Sequence, residues 1–260
     1  MTSYQEARNL FSSGRFQTAA DCFKLLAFES NDSLEKANYL IEEAECYRQL
    51  GEFGKASTCV GAAKELANSD VIASAQIAFF AATLLVTQGK RDEGLQAMST
   101  ILREYSNKLL AGEAGRELYQ QIQMQRGFTL MHLARYKEAR PLLEEVTSFQ
   151  LPSECRTDVH CQLGRCYSEL GLHSLAKAQF LLAQELGVSD EWASTYHYYF
   201  GYALYEVKDF TAAKRELLLC LQSGTDGPPQ SYVYKLLAAT YRKLGEPEQA
   251  RLYEESARSS

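Results

Sequence analysis

The chain has 260 residues, 46% apolar and 23% charged, with 27 Lys and Arg against 33 Asp and Glu and a formal net charge of −6. That balance argues against nucleic-acid binding as the main activity, which calls for a basic face. No apolar run reaches the roughly 18 residues of a membrane-spanning helix, and Met1 to Gln5 leads into the first predicted helix without the basic region and apolar core of a signal peptide. A cytoplasmic chain with no membrane insertion is expected.

In chain order, the predicted elements are copies of one pattern. Each opens on a small residue, has Leu or an aromatic three residues later, then a turn, and in most copies a ring residue followed by Ala. The first copy carries Ala7, Leu10, Gly14, Phe16, Ala19 and Phe23, and the second Ala44, Tyr47, Gly51, Phe53 and Ala56. The third opens at Ala82 with Gly89 in its turn. The fourth opens at Gly127, after a step of 45 residues where the other steps are 37 or 38. The extra residues, around Tyr105 to Gly115, are expected to lengthen the helices by two turns. They would divide the single domain 1–260 into sub-halves 1–104 and 112–260, as a hinge or as a simple tolerated insertion.

The fifth copy is the clearest: Leu163-Gly164-Arg165-Cys166-Tyr167, Gly171, then Ala176, Phe180 and Ala183. The sixth holds Gly201, Leu204, Phe210 and Ala213, and the loop Ser223 to Pro229 follows, with Pro228 and Pro229 suited to start a helix. The seventh holds Ala238, Tyr241, Gly245 and Ala250. Its second helix carries Glu246, Glu248, Gln249, Glu254 and Glu255, a polar face of the kind a terminal cap needs. No such cap precedes the first copy, which leaves Leu10 and Phe11 for a dimer contact if unshielded.

A fixed period of 20 to 50 residues marks stacked supersecondary units. Small residues at matching places let helix backbones approach, and rings three or four residues away fill the gaps. Glycine between the two periodic stretches ends the first helix in a left-handed conformation. Each copy therefore reads as a helical hairpin.

The L-G-x-x-Y and A-x-x-x-F halves of the fifth copy, with seven copies in register, resemble the tetratricopeptide repeat family. The resemblance implies an all-α solenoid, a right-handed superhelix of about seven hairpins and 14 helices. Departures are the missing Trp, replaced by Leu40, Ala78, Gln123, His160, His197 and Tyr234, and the near absence of the closing Pro, for which Pro152 is the only close candidate. In such arrays the first helices line a concave groove, at three before and one, four and five after the small residue. Carried over, these slots give Phe79, Met124, Phe128 and Met131 in an apolar middle, then Arg165, Tyr198, Tyr202, Tyr205, Lys235 and Arg242. The clamp that grips acidic chaperone tails has Lys and then Asn where this chain has Tyr4 and Arg8, so that role is disfavoured.

Seven cysteines without C-x-x-C read as packing thiols. Cys46 and Cys166 share one repeat slot, and Cys22 and Cys59 another. The group Cys155, His160, Cys161 and Cys166 has poor spacing for a metal on one helix face, and His160 and His197 read as half-buried rings in the Trp slot. No P-loop, G-x-G-x-x-G, G-x-S-x-G or H-E-x-x-H occurs, and the repeats fill Tyr4 to about Ala257. The expected function is a non-enzymatic scaffold or adaptor that binds a protein or peptide in the groove, with no cofactor and no metal. The alternatives are a regulator whose shape responds to a ligand or peptide, and a self-associating assembly subunit in which the groove aromatics are packed.

Overall fold

A computed structural model describes residues 3–67, 69–224 and 227–259. Met1 and Thr2, and Thr225 and Asp226 of the Ser223 to Pro229 loop, lie outside the described residues. Fourteen α-helices and no strand are found among the described residues: α1 (Tyr4–Ser12), α2 (Phe16–Glu29), α3 (Ser33–Gln49), α4 (Phe53–Leu66), α5 (Val71–Thr87), α6 (Arg91–Leu109), α7 (Glu113–His132), α8 (Tyr136–Val146), α9 (Ser153–Glu169), α10 (His173–Leu186), α11 (Asp190–Glu206), α12 (Phe210–Gln222), α13 (Gln230–Leu244) and α14 (Pro247–Ser259). They fall into two compact units, residues 1–129 and 130–260. The chain is an all-α repeat array.

The hairpin turn follows one template in all seven copies. The residue seven after the small residue has positive φ, from 73° to 84° at Gly14, Gly51, Gly89, Gly171 and Gly245, and 55° and 65° at Ala134 and Lys208. Its N–H and the next one bond back to carbonyls of the preceding helix, as in Gly51 N to Arg48 O (3.1 Å) and Glu52 N to Tyr47 O (2.9 Å). Lys208 N to Tyr205 O and Asp209 N to Leu204 O (both 2.9 Å) repeat this without glycine. These are Schellman closures, which satisfy carbonyls that a helix end would otherwise orphan. The second helix starts one residue later, so the turn fixes the hairpin angle.

Unit 1 has a core in which Ala7, Ala19, Ala44 and Ala56 have no exposed surface and Phe23 fills the space between hairpins. Leu10 and Phe11 pack half-buried against it, with Phe11 edge-on to Phe16 at 5.2 Å. In the third hairpin Gly94 takes the slot held elsewhere by Ala, because an added Cβ would stand 2.9 Å from Ala82 O. The residues behind the 45-residue step sit in helices: α6 has 19 residues against 14 in α4, and α7 has 20 against 17 in α5.

Unit 2 repeats the plan with larger rings. Phe180, Tyr196 and Phe200 are fully buried, their centroids 5.6 to 5.7 Å apart, and each contributes roughly 1.5–3 kcal/mol by burial. The Tyr196 hydroxyl donates to Phe180 O at 3.2 Å, so the ring brings no orphaned polar atom into the core. Lys177 with Asp209 (3.2 Å) and Lys214 with Glu246 (2.9 Å) are the same ion pair one repeat apart. Being half exposed, each adds at most about 1 kcal/mol.

Candidate partner-binding site

In the second, fifth, sixth and seventh hairpins, residues 19 apart face each other, one on each helix. Leu40 and Cys59 belong to one apolar core. His160 Nδ1 lies 2.7 Å from Gln179 Oε1, and His197 Nδ1 lies 2.8 Å from Glu216 Oε2. Tyr234 and Tyr253 meet ring to ring at 6.0 Å. These pairs occupy the place of the missing Trp, so His160 and His197 each serve their own hairpin and are not a joint ligand pair. Glu216 is 1% exposed. Burial alone would raise its pKa, but bonds from His197 and Arg215 outweigh it and hold the carboxyl below the ordinary carboxylate range. Burial pushes Cys46, Cys59 and Cys161 up to about 12 and Cys166 to about 11, so these thiols stay protonated and unreactive. Among the described residues no three His, Cys, Asp or Glu side chains gather as a metal would require.

The predicted groove slots converge in separate clefts. In unit 1, Phe79 and Met124 join Glu45, Arg48, Phe80, Thr83 and Gln125 around a cleft of about 370 Å³. In unit 2, Arg165, Tyr198 and Tyr202 join Glu169, Thr195, Tyr199, Tyr232 and the segment 227–229 around one of about 610 Å³. Phe128 is half-buried on α7. Met131 is 1% exposed, which removes it from the surface and makes it a core residue. Tyr205 is half-buried with its ring edge-on to Phe210 at 5.5 Å. Lys235 is exposed, its ammonium 5.7 Å from the Tyr232 ring.

Electrostatics separates the two clefts. Of the four arginines in groove slots, Arg8 pairs with Glu42 at 2.8 Å, Arg48 with Glu45 at 2.6 Å, and Arg242 is tied to Glu254. Arg242 is therefore neutralised inside its own hairpin. Arg165 makes no ion pair among the described residues; its guanidinium lies 5.4 Å from the Tyr199 ring and its buried Nε has no hydrogen-bond partner. The one carboxylate beside it, Glu169, already accepts from Tyr199 Oη at 2.9 Å. The hydroxyls of Tyr198, Tyr202 and Tyr232 donate to no group among the described residues, and burial pushes the Tyr198 and Tyr202 pKa values above the usual phenol range, which keeps them donors. Sequence slots alone miss Tyr199, Thr195 and Tyr232, which lie on faces that the standard pattern does not count. For Tyr199 the signal is only the density of Tyr between 196 and 205; Thr195 and Tyr232 carry none.

The fold defines a class, the helical-hairpin repeat arrays. Residues 157–186, in the fifth copy, match the model of the tetratricopeptide repeat, and the other hairpins repeat its turn geometry, so the chain is an array of tetratricopeptide-like hairpins. Solved structures agree. PilF of Pseudomonas aeruginosa superposes with a TM-score of 0.63 at 19% identity, covering 84% of this chain and 88% of that one. The C-terminal part of a tetratricopeptide repeat-containing protein from Cytophaga hutchinsonii gives 0.61 at 14% identity, over 98% of this chain and 94% of that one. YrrB, described as having an unusual peptide-binding site, gives 0.55 at 20% identity, over 78% and 93%. Likeness at these identities speaks for the fold alone. Curated protein sequences give no significant match. Among the described residues no helix is long and apolar enough to cross a membrane.

Proposed function

We propose that the chain is a non-enzymatic scaffold or adaptor whose first-helix face in unit 2 holds a peptide segment carrying a carboxylate. The observation that carries this reading is Arg165, a guanidinium that forms no ion pair among the described residues, set among Tyr198, Tyr199, Tyr202 and Tyr232. Arg and Tyr are the residue types enriched where binding energy concentrates. The guanidinium offers donors only and the three unused phenol hydroxyls can each donate, so an acceptor-rich group fits between them. Peptide binding by a relative of this fold, YrrB, is consistent with that role.

The test is capture of partners from source-cell lysate by the native chain and by Arg165→Ala and Tyr202→Ala variants, followed by titration of the captured partner. Circular dichroism first confirms that the variants stay helical. Loss of a charge-assisted bond of about 1.5–3 kcal/mol predicts roughly 10- to 150-fold weaker binding for Arg165→Ala. Capture and affinity unchanged in both folded variants would refute the reading.

A further inference from the structure

The facing pair in the third hairpin is Ala78 and Ala97, the smallest of the pairs described above. Where four of the other hairpins place Leu with Cys, His with Gln, His with Glu, or Tyr with Tyr, this one leaves space. A cleft of about 620 Å³ opens there, between α4, α5 and α6, on a different side of α5 from Phe79 and Thr83. Its apolar lining includes Val60, Ile77, Ala78, Ala81, Ala97 and Ile101. The α5 residues run from Ser74 to Leu85 and the α6 residues from Glu93 to Tyr105. At 1.5 Å per residue that is a trough roughly 17 Å long.

The apolar core is interrupted at the same place. Val60 and Ile77 belong to the cluster on one side of α5, while Ala82 and Ile101 belong to the cluster on the other. Helix α5 carries no charged residue from Val71 to Thr87, so the floor supplies only dispersion contacts and apolar area. The volume is that of sites that enclose drug-sized ligands, which are mostly apolar with a few polar groups at the edge.

Charge is confined to the rim. Glu93 and Glu104 stand on the α6 wall, three turns apart on one helix face, and Lys64 stands on the α4 wall. Glu93 and Lys64 make no ion pair among the described residues, and Glu104 lies 3.9 Å from the exposed Arg103. With Arg103 beside Glu104, Glu93 is the rim carboxylate left without an ion pair among the described residues, and it favours a positive ligand group over a negative one.

We propose that this cleft is a second binding site, for a small apolar molecule that bears one cationic amine. The apolar body lies over Ala78 and Ala97 and the amine reaches Glu93. The site is independent of the Arg165 cleft and of any peptide bound there.

A matched pair of probes tests it on the full chain: 4-phenylbutylamine and 4-phenylbutyrate, followed by titration calorimetry and by amide chemical shifts. The expected result is saturable one-to-one binding of the amine, with shift changes at Ala78 and Ala97 and a preference over the carboxylate of about fivefold, as one exposed charge contact allows. Glu93→Gln should bring the two probes to parity. Ala97→Leu should fill the trough and abolish binding; should that variant fold poorly, Ala97→Val serves instead, and Arg165→Ala should bind the amine as the native chain does. The proposal fails if the amine does not saturate by about 10 mM, a limit near 3 kcal/mol of affinity. It fails equally if the carboxylate binds as well as the amine, or if binding survives in a folded Ala97 variant.

Discussion

Replacing a long basic side chain by glycine should stabilise this protein at Lys208 and destabilise it at Arg251. Lys208 holds φ at 65° and Ala134 at 55°, in the turn position that five other hairpins give to glycine. A residue with a Cβ in that conformation costs roughly 1–2 kcal/mol. Glycine removes the cost but gives the unfolded chain more freedom, worth about 0.4–1 kcal/mol in the opposite direction. The Lys208 side chain bonds to no group among the described residues, so nothing else is lost. The net expectation is a gain of about 0.5–1 kcal/mol for Lys208→Gly, and a similar gain for Ala134→Gly. The two turns lie in different hairpins without shared contacts, so the double variant should gain their sum.

Urea unfolding followed by fluorescence of Trp192, the single tryptophan, and by circular dichroism measures it. With a slope near 2 kcal/mol per molar, each variant should raise the midpoint by roughly 0.25–0.5 M at unchanged slope. Arg251→Gly, at an exposed site inside α14, is the control; it should cost about 1 kcal/mol because the helix gains nothing from glycine's freedom. If Lys208→Gly lowers the midpoint as Arg251→Gly does, the claim that backbone conformation governs these turns is refuted.

Gly164→Ala should destabilise by about 1–3 kcal/mol, since its Cβ would fall 2.8 Å from the Phe180 ring; thermal unfolding reads the loss, and Phe180→Leu in the same chain should recover part of it. For Glu216, the folded pKa lies below the unfolded one. Its contribution is therefore complete above the ordinary glutamate value of about 4.3 and fades as pH falls through the lower folded value. Denaturant midpoints from pH 7 to pH 3 should fall less steeply in Glu216→Gln than in the native chain, and equal slopes would contradict the assignment. With a thiol reagent at pH 8, Cys22 and Cys155, the two cysteines that are not buried, should label in the native state, while Cys46, Cys59, Cys161, Cys166 and Cys220 wait for unfolding. Fast labelling of any of those five would show that its burial is wrongly assigned.

What the sequence made legible is whatever repeats with the backbone. The small residues Ala7, Ala44, Gly164 and Gly201, the turn glycines, and the rings Phe23 and Phe180 recur because every hairpin must close and stack in one way. Two turns without glycine were invisible, since Ala134 and Lys208 have no sequence mark of positive φ. The facing pairs 19 residues apart were half legible: the Trp slot was seen, with His160 and His197 as half-buried rings, but not their partners Gln179 and Glu216. Chemistry there changes from copy to copy while geometry stays. The site was least legible. Slot counting brought out Arg165, Tyr198 and Tyr202, yet it also placed Met131 on the surface, where packing has buried it, and treated Arg242 as a free cation, where Glu254 holds it. Long side chains choose partners across hairpins, and no period encodes that choice.

The facing pairs also bear on how such a chain can change length. Glu216 finds its histidine 19 residues upstream on its own hairpin, and His160 finds its glutamine 19 residues downstream in the same way. A buried polar group whose partner travels with it can be copied or removed together with its 37-residue module, and no orphaned charge is left in the neighbours. Growth or loss by whole hairpins then leaves the seams to refit: the apolar contacts, the Tyr196 hydroxyl on Phe180 O, and the Lys177–Asp209 and Lys214–Glu246 pairs that cross from one hairpin to the next.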